Sequence, residues 1–294
     1  MSTPRIPNIK ARRLGAELRT IREQRGERLQ AVAAALGRGW STSKLSRYER
    51  GDGLNPTEVA RLLARYQVSA DLRARLLGLA REASERGWWE SYADVASAEF
   101  RDFIGLEAEA SSIEVWHVDV VTGLLQTERY ARSLMTEHSR VEPIAPAIIE
   151  RRVELRMRRK RVLERENPVH LLVVLDESVL KRQFGDESIM YEQMHSLAAD
   201  SAKPNVTLRV LPLRAPHPVS AESFVIFNFG PKNDAIWHDV VAAEGLKDSF
   251  YVEDSQETYL HRLVFNALLG ATLDADASRN LIIQTAENYW RGSP

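Results

Sequence analysis

The stretch Trp40–Gly51, reading WSTSKLSRYERG, constrains this chain more than any other. Ser41 suits a helix N-cap, because a hydroxyl there accepts a bond from an otherwise unpaired first-turn amide. Leu45 and Tyr48 stand three apart, so they share one face and predict a buried stripe. Thr42, Ser43, Ser46 and Arg47 then fall on or around the opposite face. Short hydroxyls and one long guanidinium on a helix face suit base edges and phosphates. Gly51 stands where helices often end in a left-handed residue. A solvated surface helix rich in Ser and Arg would read the same way in isolation, so the neighbouring segments decide.

Those segments are helical. From Lys10 to Gln24, Leu14, Leu18 and Ile21 recur at helical spacing, with Arg12, Arg13, Arg19, Arg22 and Arg25 on the other faces and Gly26 closing the helix. Leu29, Val32, Ala33 and Leu36 give a second, short helix ending at Gly37. After the recognition stretch, Asn55 suits an N-cap, Pro56 the first helical position, and Glu58 completes a capping-box pattern. Val59, Leu62, Leu63 and Tyr66 supply the buried face of a fourth helix; Leu72, Leu76 and Leu79 supply a fifth. Five short helices with a turn between the second and third predict a compact DNA-binding bundle.

Residues 11–80 resemble the Xre/Cro/phage-repressor class of helix-turn-helix domains. RRLGAELRTIREQRG is similar to the first helix of that class, LQAVAAALG to its second, and SKLSRYERG to its recognition helix with a Glu-x-Gly ending. The resemblance implies that Thr42, Ser43, Ser46 and Arg47 face DNA, with Arg47 as the main base reader, and that Arg28 to Gln30 contact phosphate. Ser41, Lys44 and Arg50 complete the implied DNA-binding set, Lys44 on a phosphate. Two departures stand out. Arg28-Leu29 opens the second helix where Thr-Gln or Ser-Gln is usual, although a basic residue can still hold a phosphate. Arg38-Gly39 lengthens the turn before Trp40, which bears on where the recognition helix sits.

Charge separates the chain into unlike parts. Residues 1–86 carry 18 Lys and Arg against 9 Asp and Glu, while the remainder carries 22 against 32, so a net charge of -1 hides +9 joined to -10. A basic module joined to an acidic one fits a nucleic-acid binder attached to something that does not touch nucleic acid. The 294 residues are 44% hydrophobic and 28% charged, enough to build cores in two ordinary domains. There is no cysteine, which excludes disulfides and thiolate metal sites and favours a cytoplasmic home. The start MSTPRIPNIKARR has no apolar run, so no secretory signal is expected, and no stretch approaches the roughly 18 apolar residues of a membrane span.

The expected organisation is a flexible tail over residues 1–9, a mainly α, five-helix domain at 10–80, an aromatic-rich linker at 81–105, and a larger α+β domain at 106–294. The linker's Trp88, Trp89, Tyr92, Phe100 and Phe103 are too apolar for a free tether and are expected to pack on the second domain. Residues 106–131 read mainly helical, with a break near Val121 to Gly123. In GLLQTERYARSL, Thr127 opens a helix that places Tyr130, Ala131 and Leu134 inward. A helix dense in charge follows, with eight Lys or Arg in residues 151–165 and an uneven stripe of Ile148, Val153, Leu155, Val162 and Leu163. It reads as solvated or partner-facing rather than nucleic-acid-binding. VHLLVVLDE is a buried strand, ESVLKRQFG and SIMYEQMHSLAADSA are helices, and NVTLRVLPL, SFVIFNFG, DAIWHDVV and SFYVED are four more strands. Helices at about 256–269 and 278–290 close the chain.

This second half resembles the C-terminal domain of unknown function carried by actinobacterial Xre-type regulators. These are described as antitoxin-like and are commonly encoded beside a very small partner protein. GLLQTERYAR, ERRVELRMRRKRVL, LDESVL, NVTLRVLP and the strands ending at YVED carry the resemblance. Val121-Thr122 stands where Val-Pro is usual, and Trp116-His117 where Tyr-Glu is usual.

No catalytic pattern is present. The seven histidines, His117, His138, His170, His195, His217, His238 and His261, form no metal-ligand spacing. There is no G-x-S-x-G, Walker loop or G-x-G-x-x-G. Asp176 and Glu177 are adjacent, and in a strand they would point to opposite faces. The expected protein is therefore no enzyme and needs no cofactor or metal. It is a DNA-binding transcription regulator, acting as a homodimer on double-stranded DNA. Its second domain senses a small partner protein or a small molecule, with Trp88, Trp89, Trp116 and Trp237 as aromatic candidates for a ligand lining. The rival expectation is an antitoxin-like protein whose acidic half neutralises a small basic partner, with DNA binding as autoregulation.

Overall fold

A computed structural model describes residues 9–84, 87–230, 239–244, 249–252 and 254–292. The chain divides into two compact units, residues 1–93 and 94–294. Of the tail expected at residues 1–9, residues 1–8 lie outside the described residues, as do Trp237 and His238, while Ile9 already begins the first helix.

The first unit is helical: α1 (Ile9–Gln24), α2 (Leu29–Leu36), α3 (Thr42–Glu49), α4 (Pro56–Arg65) and α5 (Ala70–Ser84). Its core holds the periodic residues named above: Leu14, Leu18 and Ile21 of α1; Val32 of α2; Leu45 and Tyr48 of α3; Val59, Leu62 and Leu63 of α4; Leu76 of α5. Leu72 and Leu79 are only partly buried against it. Asn55 caps α4 by accepting bonds from the Thr57 and Glu58 amides, and Pro56 opens it. The lengthened turn between α2 and α3 runs Gly37-Arg38-Gly39, with both glycines at positive φ and the Trp40 amide bonded to the Gly37 carbonyl at 3.1 Å.

α1 meets the end of α3 at backbone contact. Gly51, at φ +86°, closes the turn after α3, and a β-carbon there would stand 2.7 Å from the Ala11 carbonyl. A β-carbon on Gly15 would stand 2.6 Å from the Gly51 amide nitrogen and 2.7 Å from the Tyr48 carbonyl. Only two glycines facing each other permit this approach, and it fixes the height of α3 on α1.

The second unit is built on one mixed six-stranded sheet in the order β3-β2-β1-β4-β5-β6. The strands are β1 (Ser112–His117), β2 (His170–Asp176), β3 (Val206–Leu211), β4 (Phe224–Asn228), β5 (Val240–Glu244) and β6 (Ser249–Val252). β1, β2 and β3 are parallel, with Val115 opposite Val173 and Val173 opposite Leu208. β4 runs antiparallel to β1, with Val115 opposite Val225. The helices are α6 (Ala98–Glu109), α7 (Glu128–His138), α8 (Pro146–Arg159), α9 (Glu177–Lys181), α10 (Glu187–Asp200), α11 (Ser255–Gly270) and α12 (Ala275–Thr285). A core of Trp116, Val174, Leu211, Phe224, Ile226, Val241, Phe265 and Leu268 joins the sheet to α11. Phe103 of α6 meets Phe227 of β4 edge-on at 5.1 Å.

Two expectations are corrected here. Residues 106–131 are not mainly helical: β1, the strand at the parallel-to-antiparallel junction, lies inside them. Its Ile113, Val115 and Trp116 are all buried, and a six-residue strand between helices leaves too short an alternation to stand out. In α8 the inward residue is Ile149, while Ile148 is 36% exposed.

Alanine at two helical glycines should separate the close contact from helix propensity. Gly78 of α5 has open space around it, so Gly78→Ala should stabilise the chain by about 0.5–1 kcal/mol. Gly15→Ala gains the same propensity but meets backbone, and should cost about 2 kcal/mol net. Urea unfolding followed by circular dichroism checks both signs.

Candidate nucleic-acid interface

At 100° per residue, Thr42, Ser43, Ser46, Arg47 and Arg50 cover an arc of about 140° on α3, opposite Leu45 and Tyr48. Ser43, Arg47 and Arg50 are exposed, and Thr42 and Ser46 are half-exposed. Ser41 caps the helix, its Oγ accepting from the Lys44 amide at 3.1 Å. Among the described residues the Arg47 guanidinium has no hydrogen-bond or ion-pair partner. Arg50 donates from Nη1 to Ser46 Oγ at 2.8 Å and lies 3.6 Å from Asp52.

Both edges of this arc are bolted to the bundle. On one edge, Glu49 accepts two bonds from Arg22 of α1, at 2.5 Å from Nε and 2.9 Å from Nη2. The pair is nearly buried, with side chains 12% and 8% exposed. Bonding to Glu49, working against burial, raises the Arg22 pKa. Arg22 Nη1 also donates to the Glu27 carbonyl at 3.0 Å, tying down the turn before α2. On the other edge, Lys44 Nζ donates to Glu58 Oε1 of α4 at 2.6 Å and lies over the Trp40 ring at 5.1 Å. The Tyr48 hydroxyl donates to the other oxygen of Glu58. Burial and that bond raise the Tyr48 pKa, while Lys44 and then Tyr48 hold Glu58 below the usual glutamate value.

These bonds revise one sequence reading and add to two others. Glu58 does not close a capping box; its carboxylate is turned to Lys44 and Tyr48. Lys44, expected on a phosphate, donates to Glu58 and lies over the Trp40 ring in the free protein. Glu49, read from sequence only as part of a helix ending, is the anchor for Arg22.

The start of α2 supplies the second element of the surface. Arg28 occupies the N-cap position with extended backbone and makes no side-chain cap. Arg28 and Gln30 are exposed. The intrahelical bonds begin with the Ala31 and Val32 amides, both to the Arg28 carbonyl, so the Leu29 and Gln30 amides point out of the helix end. Arg38, on the inserted turn between this helix start and α3, is exposed as well, and sequence reading did not select it.

Among the described residues no three His, Asp or Glu side chains cluster as metal ligands. Asp176 caps α9 by accepting from the Ser178 amide at 2.9 Å, and Glu177 pairs with Lys181 at 2.6 Å, so these adjacent carboxylates are structural. No helix among the described residues is long and apolar enough to cross a membrane.

Removing one partner of the Arg22–Glu49 pair strands a nearly buried charge, so Glu49→Ala should cost about 3 kcal/mol. Arg22→Ala should cost a similar amount and the double variant little more; urea unfolding of all three closes the cycle. The Glu58 contacts predict acid sensitivity. A carboxylate held below its unfolded value stabilises fully above about pH 4.5, and that contribution is lost as pH falls through its lowered folded value. Glu58→Gln should flatten the acid limb of the stability–pH curve, measured by melting temperature.

The comparisons agree with this division. A helix-turn-helix domain family matches residues 13–76, covering all of α2, α3 and α4. A domain of unknown function (DUF5753) matches residues 100–284, more than half of the chain. No curated protein matches it. The chain therefore carries a helix-turn-helix domain of the kind found in DNA-binding regulators and belongs to the DUF5753 family.

Proposed function

We propose that this protein is a sequence-specific transcription regulator of the Xre class, a cytoplasmic homodimer and no enzyme, whose C-terminal unit receives a small ligand or a small partner protein. The observation that carries the reading is α3 itself: both edges are locked to the bundle by ion pairs, while Ser43 and Arg47 between them stand exposed. A rigid helix with a free guanidinium and hydroxyls is what a major groove can read.

In this reading Arg47 pairs with a guanine, and Thr42, Ser43 and Ser46 make shorter contacts. Arg28 and the open Leu29 and Gln30 amides hold one phosphate, and Arg50 a second. Lys44 acts from within, fixing α3 against α4. One such module covers few base pairs, so useful selectivity requires two copies on half-sites about one helical turn apart. The antitoxin reading rests on the -10 balance of residues 87–294; a small basic protein bound on co-expression would support it.

Gel shifts on the chain's own upstream region separate the roles. Arg47→Ala should lose about 1–3 kcal/mol on the selected site and much less on random DNA. Arg28→Ala should weaken both alike and lower the salt slope by about 1. Equal losses on both DNAs for Arg47→Ala would refute its base-reading role.

A further inference from the structure

One helix of the second unit turns an apolar face to solvent that neither its own core nor the DNA-binding reading uses. Among the described residues eight large hydrophobic side chains are exposed, and three of them, Tyr259, Leu260 and Leu263, stand within five residues on α11. They are 62%, 58% and 47% exposed. Apolar residues scattered singly over a surface are ordinary, whereas a cluster marks a contact.

The packing of α11 does not account for this face. Thr258, Phe265 and Leu268 are buried, and Phe265 and Leu268 enter the core against the sheet. At 100° per residue, the exposed Tyr259, Leu260, Leu263, Asn266, Ala267 and Gly270 fall in one arc of about 120° on the other side, with Leu263 at its centre. A solvent-facing arc of a surface helix ordinarily carries charge, and this one carries none. Arg262 lies off the arc, bonded to Asp239 and Glu114, and no charged residue follows it until Asp274. The apolar surface also continues past the helix. Leu260 and Val264 border a groove of about 260 Å³ whose lining includes Ala221, Phe224 and Ala243, with Glu222 beside them. A stable pair of molecules buries about 800 Å² on each, and the groove widens the apolar area beyond the helix alone.

Two properties of the arc indicate what covers it. The first is charge. Residues 87–294 carry a balance of -10, so a basic partner would be drawn to acidic surface and away from an uncharged stripe. Two copies of one chain meeting on a charged face would set like charges against each other, and an uncharged face avoids that. The second is bulk. Tyr259 and Leu260 fill the first half of the arc, while Asn266, Ala267 and Gly270 leave the second half low, with open space around Gly270. Laid antiparallel on itself about a two-fold axis at Leu263, the helix sets its bulky half on the low half of its partner. A parallel arrangement would set bulk on bulk and leave the low ends apart.

We infer that α11 is the homodimer interface, its exposed arc covered by a second copy of this chain in an antiparallel two-fold contact centred on Leu263. The inference deepens the homodimer reading and rests on it.

Sedimentation equilibrium of the full chain without DNA tests it. The wild type should be a dimer. Leu263→Glu places two carboxylates against each other at the axis and should raise the dimer Kd at least about 100-fold. Ala267→Glu, at another exposed position of the arc, should act in the same direction, and the thermal melts of both variants followed by circular dichroism should retain a cooperative transition. Val141→Glu, at an exposed apolar residue elsewhere, should leave the dimer unchanged. Mixing Leu263→Glu with Leu263→Lys should restore association, because only a residue that faces its own copy can be rescued by the opposite charge. A dimer that survives both α11 variants would overturn this surface and leave the homodimer reading standing. A dimer lost in each Leu263 variant and not restored on mixing would overturn the two-fold contact. A wild-type monomer at every concentration would overturn the surface and the homodimer reading together.

Discussion

The proposed DNA-facing surface depends on the Arg22–Glu49 pair and the glycine contact beside it. Gly15 and Gly51 bring the backbones of α1 and α3 together at a distance no other residue permits. The forked guanidinium of Arg22 then fixes the rotation of α3 through two bonds to one carboxylate. Such a pair adds little net stability over a well-packed apolar substitute, because both charges give up water. What it adds is geometry: a rotation of α3 would break both bonds at once. Lys44, Glu58 and Tyr48 impose the same restriction from the opposite edge. A helix held on two edges gives its outward residues one orientation, and base readout needs that.

Much of this was legible in sequence because it is local. The buried faces of the first unit follow a 3.6-residue period, and Leu14, Leu18, Leu45, Tyr48, Val59 and Leu62 are buried as that period requires. The exposed arc of α3 is the complement of the same pattern. What sequence left unread is non-local. Glu49 meets Arg22 across 27 residues, and Glu107 meets Arg159 across 52. A run of arginines looks solvated when its partners are invisible, and Glu58 looks like a capping residue when Lys44 and Tyr48 are not known to face it. β1 was missed for a related reason: its pattern exists only once β2 and β4 flank it.

The two units use arginine in opposite ways. In α3 the Arg47 guanidinium stands exposed, available to a ligand that brings its own negative charge. In α8 Arg159 is enclosed by Glu107 and two phenylalanine rings, and it supports a turn. Between these extremes, Arg156 bonds a neutral glutamine oxygen at the wall of a small recess. Net charge does not distinguish these roles, since the half that is acidic overall contains the recess lined by arginines.

The most direct test of the account is a chemical-shift map of the full chain titrated with its own upstream DNA. The account predicts perturbations confined to the start of α2, the turn at Arg38 and the outer arc of α3, with the Arg22 Nε and Lys44 Nζ signals unmoved because their carboxylate partners are retained. Perturbations centred on α4 or α5, or release of Lys44 from Glu58 on binding, would contradict it.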